Sequence, residues 1–268
     1  MRNRPNIEEF AKEMRRNILE QAYRCKGPAH IGGALSIVEI LSVLYREVLQ
    51  FRIEDPFWEY RDRFILSKGH GVLAFYAALH QAGYFDKYFL DSFKINGSDL
   101  IAHPVINMEI GIESTNGSLG HGLSFGAGVA MAMKKKGNAS RVYVLVGDGE
   151  CEEGSVWEAA LFSAKHNLAN LTCIVDSNGL QSDGKVSDFN STEWLEKRWS
   201  AFGWKTKIVD GHSIESLIQS LSITSVLSPL AIIAKTTKGK GVSFMENNNS
   251  WHHNRITEDA YLEALKEL

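Results

Sequence analysis

Near the amino terminus the apolar residues recur three and four apart. Ile7, Phe10, Ala11, Met14, Ile18 and Ala22 share one face of a predicted helix. Ser36-Ile37-Val38-Glu39 has the spacing of a capping box and predicts a second helix, rich in Leu and Val, ending near Leu49. Phe64 to Leu66 then reads as a short strand, and Val72 to Ala82 as a mostly apolar helix. Leu123 to Met133 carries Gly126, Gly128 and other small residues, a composition that lets a helix press closely on a sheet. Arg141 to Val146 and Leu171 to Val175 are short, mostly apolar, β-branched runs that read as buried strands. Between them Ser155-Val156-Trp157-Glu158 repeats the capping-box spacing, and Ala159 to Ala164 continues it as a helix. A helix around Trp194 to Ala201, a strand near Trp204 to Val209, a helix from Ser213 and a strand Leu230 to Lys235 follow. Thr257 is placed to cap a last helix ending at Leu268, and Asn247-Asn248-Asn249-Ser250 reads as a mobile loop. Strands alternating with helices predict an α/β fold with a doubly wound parallel sheet flanked by helices. A chain of 268 residues is expected to form one domain over residues 1–268, with no linker, repeat or low-complexity segment dividing it.

Composition narrows the partners. A formal charge of −3 argues against nucleic acid, which favours a basic face. Lys134-Lys135-Lys136 is the notable basic run; it closes an apolar helix before Gly137, where positive charge suits the helix dipole. Cys25, Cys151 and Cys173 are an odd, scattered set without C-x-x-C spacing, which suggests ordinary thiols in a reducing cytoplasm. No apolar stretch approaches the roughly 20 residues of a membrane span, and Met1 to Asn6 does not read as a signal peptide.

The candidate chemistry sits around two strands. Gly147-Asp148-Gly149-Glu150 follows the first and Val175-Asp176-Ser177-Asn178-Gly179 ends the second. In a parallel strand–helix–strand unit both ends lie on one sheet edge, so a carboxylate and an amide oxygen can face one hard divalent cation. Gly147 and Gly149 allow a tight turn that offers backbone N–H groups to phosphate oxygens. Gly-Asp-Gly is also a common turn; the Asn at the end of the next strand is what favours a metal. A nicotinamide site is excluded because Glu152 occupies the place of the third Gly of the dinucleotide fingerprint.

These segments resemble the amino-terminal, thiamine-diphosphate-binding half of transketolase. The likeness extends to Asp62 to Gly71, which includes Ser67-Lys68-Gly69-His70, and to Ile112 to Gly122, which includes Gly117-Ser118-Leu119. Gly27 to Gly33 with His30, Ala102-His103-Pro104 and Trp251-His252-His253 complete it, all in family order. The resemblance implies thiamine diphosphate held through Mg²⁺ or another divalent cation such as Ca²⁺ or Mn²⁺. Asp148, Asn178 and the backbone oxygen of Leu180 would be the metal ligands. Gly149 and Glu150 would lie beside the diphosphate, Gly117, Ser118 and Leu119 near the aminopyrimidine, and His70 beside the cofactor. His103 would meet the donor sugar near its reacting carbon, with His30, His70 and His252 lining the substrate channel. His253, His121, Glu153 and Glu158 are left open, although family acids matching the two glutamates link active sites across a dimer; His80, His166 and His212 read as structural. The implied reaction moves a two-carbon ketol unit between sugar phosphates. The family's activating Glu lies in a further domain that is not found among these residues. The expected assembly is therefore a heterotetramer, in which a homodimer of this chain joins a separate carboxy-terminal subunit. A relative acting on a modified sugar and a non-catalytic cofactor-binding module are the alternatives.

Overall fold

The computed structural model describes residues 6–223 and 227–268; Met1 to Pro5, most of the segment weighed above as a signal peptide, lie outside it. The amino-terminal half contains α1 (Ile7–Arg24), α2 (Gly32–Leu35), α3 (Val38–Val43), β1 (Arg63–Leu66), α4 (Val72–Ala82), α5 (Lys87–Leu90) and α6 (His121–Lys135). There follow β2 (Val142–Gly147), α7 (Gly154–Lys165), β3 (Leu171–Ser177), the small hairpin β4 (Leu180–Gln181) and β5 (Gly184–Lys185), and α8 (Thr192–Ala201). The last elements are β6 (Lys205–Asp210), α9 (Ile214–Leu221), β7 (Leu230–Lys235) and α10 (Glu258–Lys266).

Five strands pair in the order β1-β2-β3-β7-β6, every neighbour parallel. Their side chains alternate between the two faces, as a pleated strand dictates. Tyr143 and Leu145 of β2 join a core formed with α1, α3 and α4, while Val142, Val144 and Val146 join a second core with α6, α7 and α8. β3 and β7 divide the same way: Ile174 and Ile232 face the first core, Cys173, Val175 and Ile233 the second. Because both faces are covered, the central strands are apolar throughout, and the doubly wound sheet expected from the sequence is what forms. At the edge, β6 buries only Val209, which accounts for its polar pattern. α6 lies close on β2 because Gly126 has no side chain; a Cβ there would sit 2.5 Å from Val144.

Two expected helix starts form differently. α3 begins after Ile37 without a side-chain cap, because the Ser36 hydroxyl is drawn inward to Asp176 Oδ2 at 2.7 Å and to the Gly33 carbonyl at 3.1 Å. α7 begins after Glu153, and the Ser155 hydroxyl donates to the Gly120 carbonyl at 3.0 Å. The helix from Ser36 also changes character, passing into a wider π turn over Leu44–Val48 before Leu49. Thr257 and Ser213 do cap their helices, accepting from the Ala260 and Ser216 N–H groups. Asn247 to Ser250 is pinned: Asn247 N–H bonds the Lys238 carbonyl at 2.8 Å, and the Asn249 amide donates to the Ser182 carbonyl at 2.9 Å. Polar side chains read as loop signals are here the fasteners. Lys134 reaches the His166 and Asn167 carbonyls at the end of α7, where a cation meets exposed carbonyls as a dipole argument expects.

Candidate active site

All five strands end at the same sheet edge, and four of them deliver polar residues toward one cavity. After β1 come Ser67, Lys68 and His70; after β2, Asp148; at the end of β3, Asp176 and then Asn178; after β7, Thr236 and Lys238. A cavity of about 310 Å³ opens there, lined by His30, Lys68, His70, His103, Gly117, Leu119, Gly147 to Glu150, Asn178, Leu180 and His252, among others. The carboxyl ends of parallel strands are where such folds hold ligands.

Asp148 and Asn178 share one wall of this cavity. Asp148 accepts from Gly149 N–H at 2.8 Å and from Gly179 N–H at 2.6 Å, so its carboxylate ties the β2 turn to the β3 turn. Burial, with the neighbouring Asp176 charge, raises its pKa to about 6. Asn178 is oriented by Asp176 Oδ2, which accepts its Nδ2 at 2.9 Å, while its Oδ1 accepts from Leu180 N–H at 3.0 Å. Carboxylate, amide oxygen and the Leu180 carbonyl form an oxygen-only donor set on adjacent turns, which fits a hard divalent cation.

Asp176 is the hub of the wall, and no motif reading picks it out. It is fully buried and takes hydrogen bonds from Lys68 Nζ at 2.5 Å, Ser36 Oγ at 2.7 Å, Asn178 Nδ2 and Thr236 Oγ1. Burial alone would raise its pKa; the Lys68 charge and these donors outweigh it and hold the carboxyl below its ordinary range. Lys68 and Lys238 escape a sequence reading too, since nothing in sequence marks a lysine as buried. Their exposures are 1% each. An acid ending an apolar strand is the available signal for Asp176.

Glu150 turns inward. Its carboxylate accepts from Ser67 Oγ at 2.5 Å, Gly120 N–H at 2.8 Å and Gly147 N–H at 3.0 Å, stitching three loops together. Burial raises its pKa, and these donors offset part of the rise. Gly117 and Leu119 line the cavity, whereas Ser118 between them faces solvent and is not part of its lining.

The histidines converge. His30 is central, with ring centroids 5.6 Å from His70, 5.7 Å from His103, 5.4 Å from His252 and 4.4 Å from His253. The family pattern needs only one of the His252–His253 pair to point inward; both join the cluster, His253 as its most solvent-exposed side. Burial, then neighbouring rings and lysines, lowers the His30 pKa to about 3 and that of His252 to about 4. Burial also places His70 and His103 below their ordinary range. At neutral pH these four rings are therefore uncharged imidazoles that can donate or accept. His121, Glu153 and Glu158 are exposed; Glu153 borders the cavity, and neither His121 nor Glu158 does. His80 bonds the Phe85 carbonyl at 2.9 Å and His166 ends α7, both away from the cavity.

Residues 9–268 match the family described as transketolase, thiamine diphosphate binding domain. The chain belongs to the transketolase family. One subunit of an apulose-4-phosphate transketolase from Actinobacillus succinogenes is 42% identical over 263 residues, 98% of this chain and 95% of that one. A 6-deoxy-6-sulfo-D-fructose transketolase subunit from Clostridium sp. (strain MSTE9) is 37% identical over 265 residues, covering 98% and 96%. Among solved structures, transketolase from Leishmania mexicana superposes with a TM-score of 0.90 at 29% identity; it covers 98% of this chain and 41% of that chain. This transketolase-family chain thus spans nearly the whole length of the two subunit relatives and less than half of that larger enzyme. The family and its α/β fold, both expected from the motifs, are borne out, and transketolases are transferases.

Proposed function

We propose that this chain is the amino-terminal subunit of a transketolase and that the cavity holds the diphosphate end of thiamine diphosphate. The observation that carries the reading is the joining of Asp148 to the Asn178 turn through the 2.6 Å bond to Gly179 N–H. Asp148, Asn178 and the Leu180 carbonyl would hold Mg²⁺, or Ca²⁺ or Mn²⁺ in its place. The backbone of Gly149 and Glu150 would face the diphosphate, with Lys68, ion-paired to Asp176, in the same cavity wall. Gly117 and Leu119, which line the cavity, would lie near the aminopyrimidine, and Ser118 between them faces away from it. When bound, thiamine diphosphate supplies a nucleophilic ring carbon and an electron sink for carbon–carbon cleavage.

The chain's own work is positioning and proton handling. Neutral His103 and His30 hydrogen-bond the hydroxyls next to the reacting carbon, and His70 and His252 close the inner side. Keeping these rings uncharged lets each serve as acceptor or donor without a counter-ion. The two subunit relatives are named for apulose-4-phosphate and for a sulfonated fructose, which supports an anionic ketose, modified or ordinary, as donor. Their subunit names also support a separate carboxy-terminal partner. We place it in a cytoplasmic heterotetramer with a self-associated pair of this chain, whose residues 1–268 form one domain. Among the described residues no helix is long and apolar enough to cross a membrane.

Calorimetric titration of thiamine diphosphate with Mg²⁺ into the chain mixed with its partner tests the site. Asp148→Ala removes a charged ligand and is expected to lower affinity tenfold or more, from a loss of about 1.5–3 kcal/mol. Unchanged binding by the variant sinks the assignment.

A further inference from the structure

Lys238 stands behind the wall rather than in it. Its Nζ meets the Leu180 and Gln181 carbonyls at 3.3 Å each, Asn249 Oδ1 at 3.1 Å and His252 Nδ1 at 2.8 Å. An ammonium can only donate, so His252 Nδ1 is an acceptor and the ring proton sits on Nε2. One buried cation thus fixes both the tautomer of a cluster histidine and the carbonyl of a metal-ligand candidate. Its placement depends in turn on three backbone anchors. Gly239 N–H bonds the Gly32 carbonyl at 3.0 Å, Thr237 N–H donates to His212 Nε2 at 2.8 Å, and the Lys240 carbonyl accepts from Arg15 Nε at 3.1 Å.

The last two anchors share one carboxylate. Glu39 accepts from Arg15 Nη2 at 2.5 Å and from His212 Nδ1 at 2.9 Å. A backbone N–H occupies Nε2, so the His212 proton must be on Nδ1, facing Glu39. None of Arg15, Glu39 or His212 lines the cofactor cavity. From the sequence His212 reads as structural, and these bonds give it a definite object.

We propose that His212, held by Glu39, is a positioning residue that sets Lys238 and, through it, the His252 tautomer and the Leu180 carbonyl. The proposal rests on the cavity being the cofactor site, but the arm can be read without cofactor. In the ¹⁵N-labelled native chain, His212 is expected as the Nδ1–H tautomer and His252 as the Nε2–H tautomer; the reverse at His212 overturns the proposal even if no variant folds. His212→Leu removes the acceptor. It is expected to perturb the His252 ring resonances and to raise the half-saturating thiamine diphosphate concentration of the two-subunit complex about tenfold, with kcat at saturation changed less than about twofold. His212→Gln, which keeps an acceptor, should restore most of the loss. Lys238→Met should weaken cofactor binding similarly, and the double variant should be no worse than Lys238→Met alone. Additive losses, or a His212→Leu protein that melts lower while its His252 signals and cofactor dependence stay native, show a simple brace and contradict the proposal. Should the native complex bind no cofactor at all, the assignment of the cavity fails, while the His252 resonances still report whether the arm exists.

Discussion

His30 packs against four other imidazoles, and a proton on it is costly because the ring is buried and its neighbours are other rings and Lys94. This residue-scale fact carries a pH dependence with a definite sign. In the unfolded chain these imidazoles titrate near 6.5, whereas His30 and His252 in the fold titrate at about 3 and about 4. Below pH 6.5 the unfolded state therefore binds protons that the folded state refuses, and stability falls with acidification. Each imidazole kept neutral contributes up to about 1.4 kcal/mol per pH unit, less where solvent reaches His252 and His103. Asp148 acts oppositely, because its raised pKa of about 6 stabilises the fold as acid protonates it between there and the unfolded carboxylate range. The cleanest window is thus about pH 7.5 to 6, where denaturant midpoints are expected to drop. A midpoint that stays level or rises on going to pH 6 contradicts neutral histidines. Asp148, Asn178 and the four matched histidines are legible in sequence because each sits in a short motif. Asp176 and Lys68 lie inside the same motifs and Lys238 outside them, yet no role is legible for any of the three, because what makes them important is burial, against partners 60 to 108 residues away in the case of Asp176 with Thr236 and Lys68.

At the scale of elements, loops rather than strands carry the precision. Gly120 ends the loop that carries Gly117 and Leu119 and starts α6 with φ +83°, and its N–H donates to Glu150 at 2.8 Å. A Cβ at this position would also lie 2.7 Å from Glu153 Cβ. Gly120→Ala is expected to cost about 1–2 kcal/mol in backbone strain and more in contact, and to disturb Glu150. Gly154→Ala, at the open first position of α7 with nothing within 4 Å, serves as the control and should be tolerated. Equal midpoints for the two variants in denaturant unfolding contradict this account of the loop. The strands are readable from their continuous apolar runs, since both sheet faces are covered, and the helices from their period. The capping boxes at Ser36 and Ser155 mislead because the same hydroxyls find partners remote in sequence, Asp176 and Gly120, which local spacing cannot reveal. Asn247 to Ser250 misleads for the same reason: Asn249 fastens the segment to Ser182, 67 residues earlier in the chain.

For the whole molecule, a parallel sheet with all five strand ends at one edge gathers the candidate oxygen ligands, the buried lysines and the histidine cluster around a cavity of about 310 Å³. On the proposed reading, this arrangement would anchor the diphosphate and offer a set of neutral imidazoles to the donor sugar. The two relatives that match over nearly their whole length are named as subunits, which supports the proposed assembly with a carboxy-terminal subunit. The most direct measurement is ketol transfer from xylulose phosphate to ribose phosphate, with thiamine diphosphate and Mg²⁺. It is made with this chain alone, with the carboxy-terminal transketolase protein alone, and with both, and repeated with an anionic modified ketose as donor. Turnover with at least one donor in the mixture, and with neither protein alone, is the predicted result. Full turnover by this chain alone, or none in a mixture where the two proteins demonstrably bind each other, contradicts it.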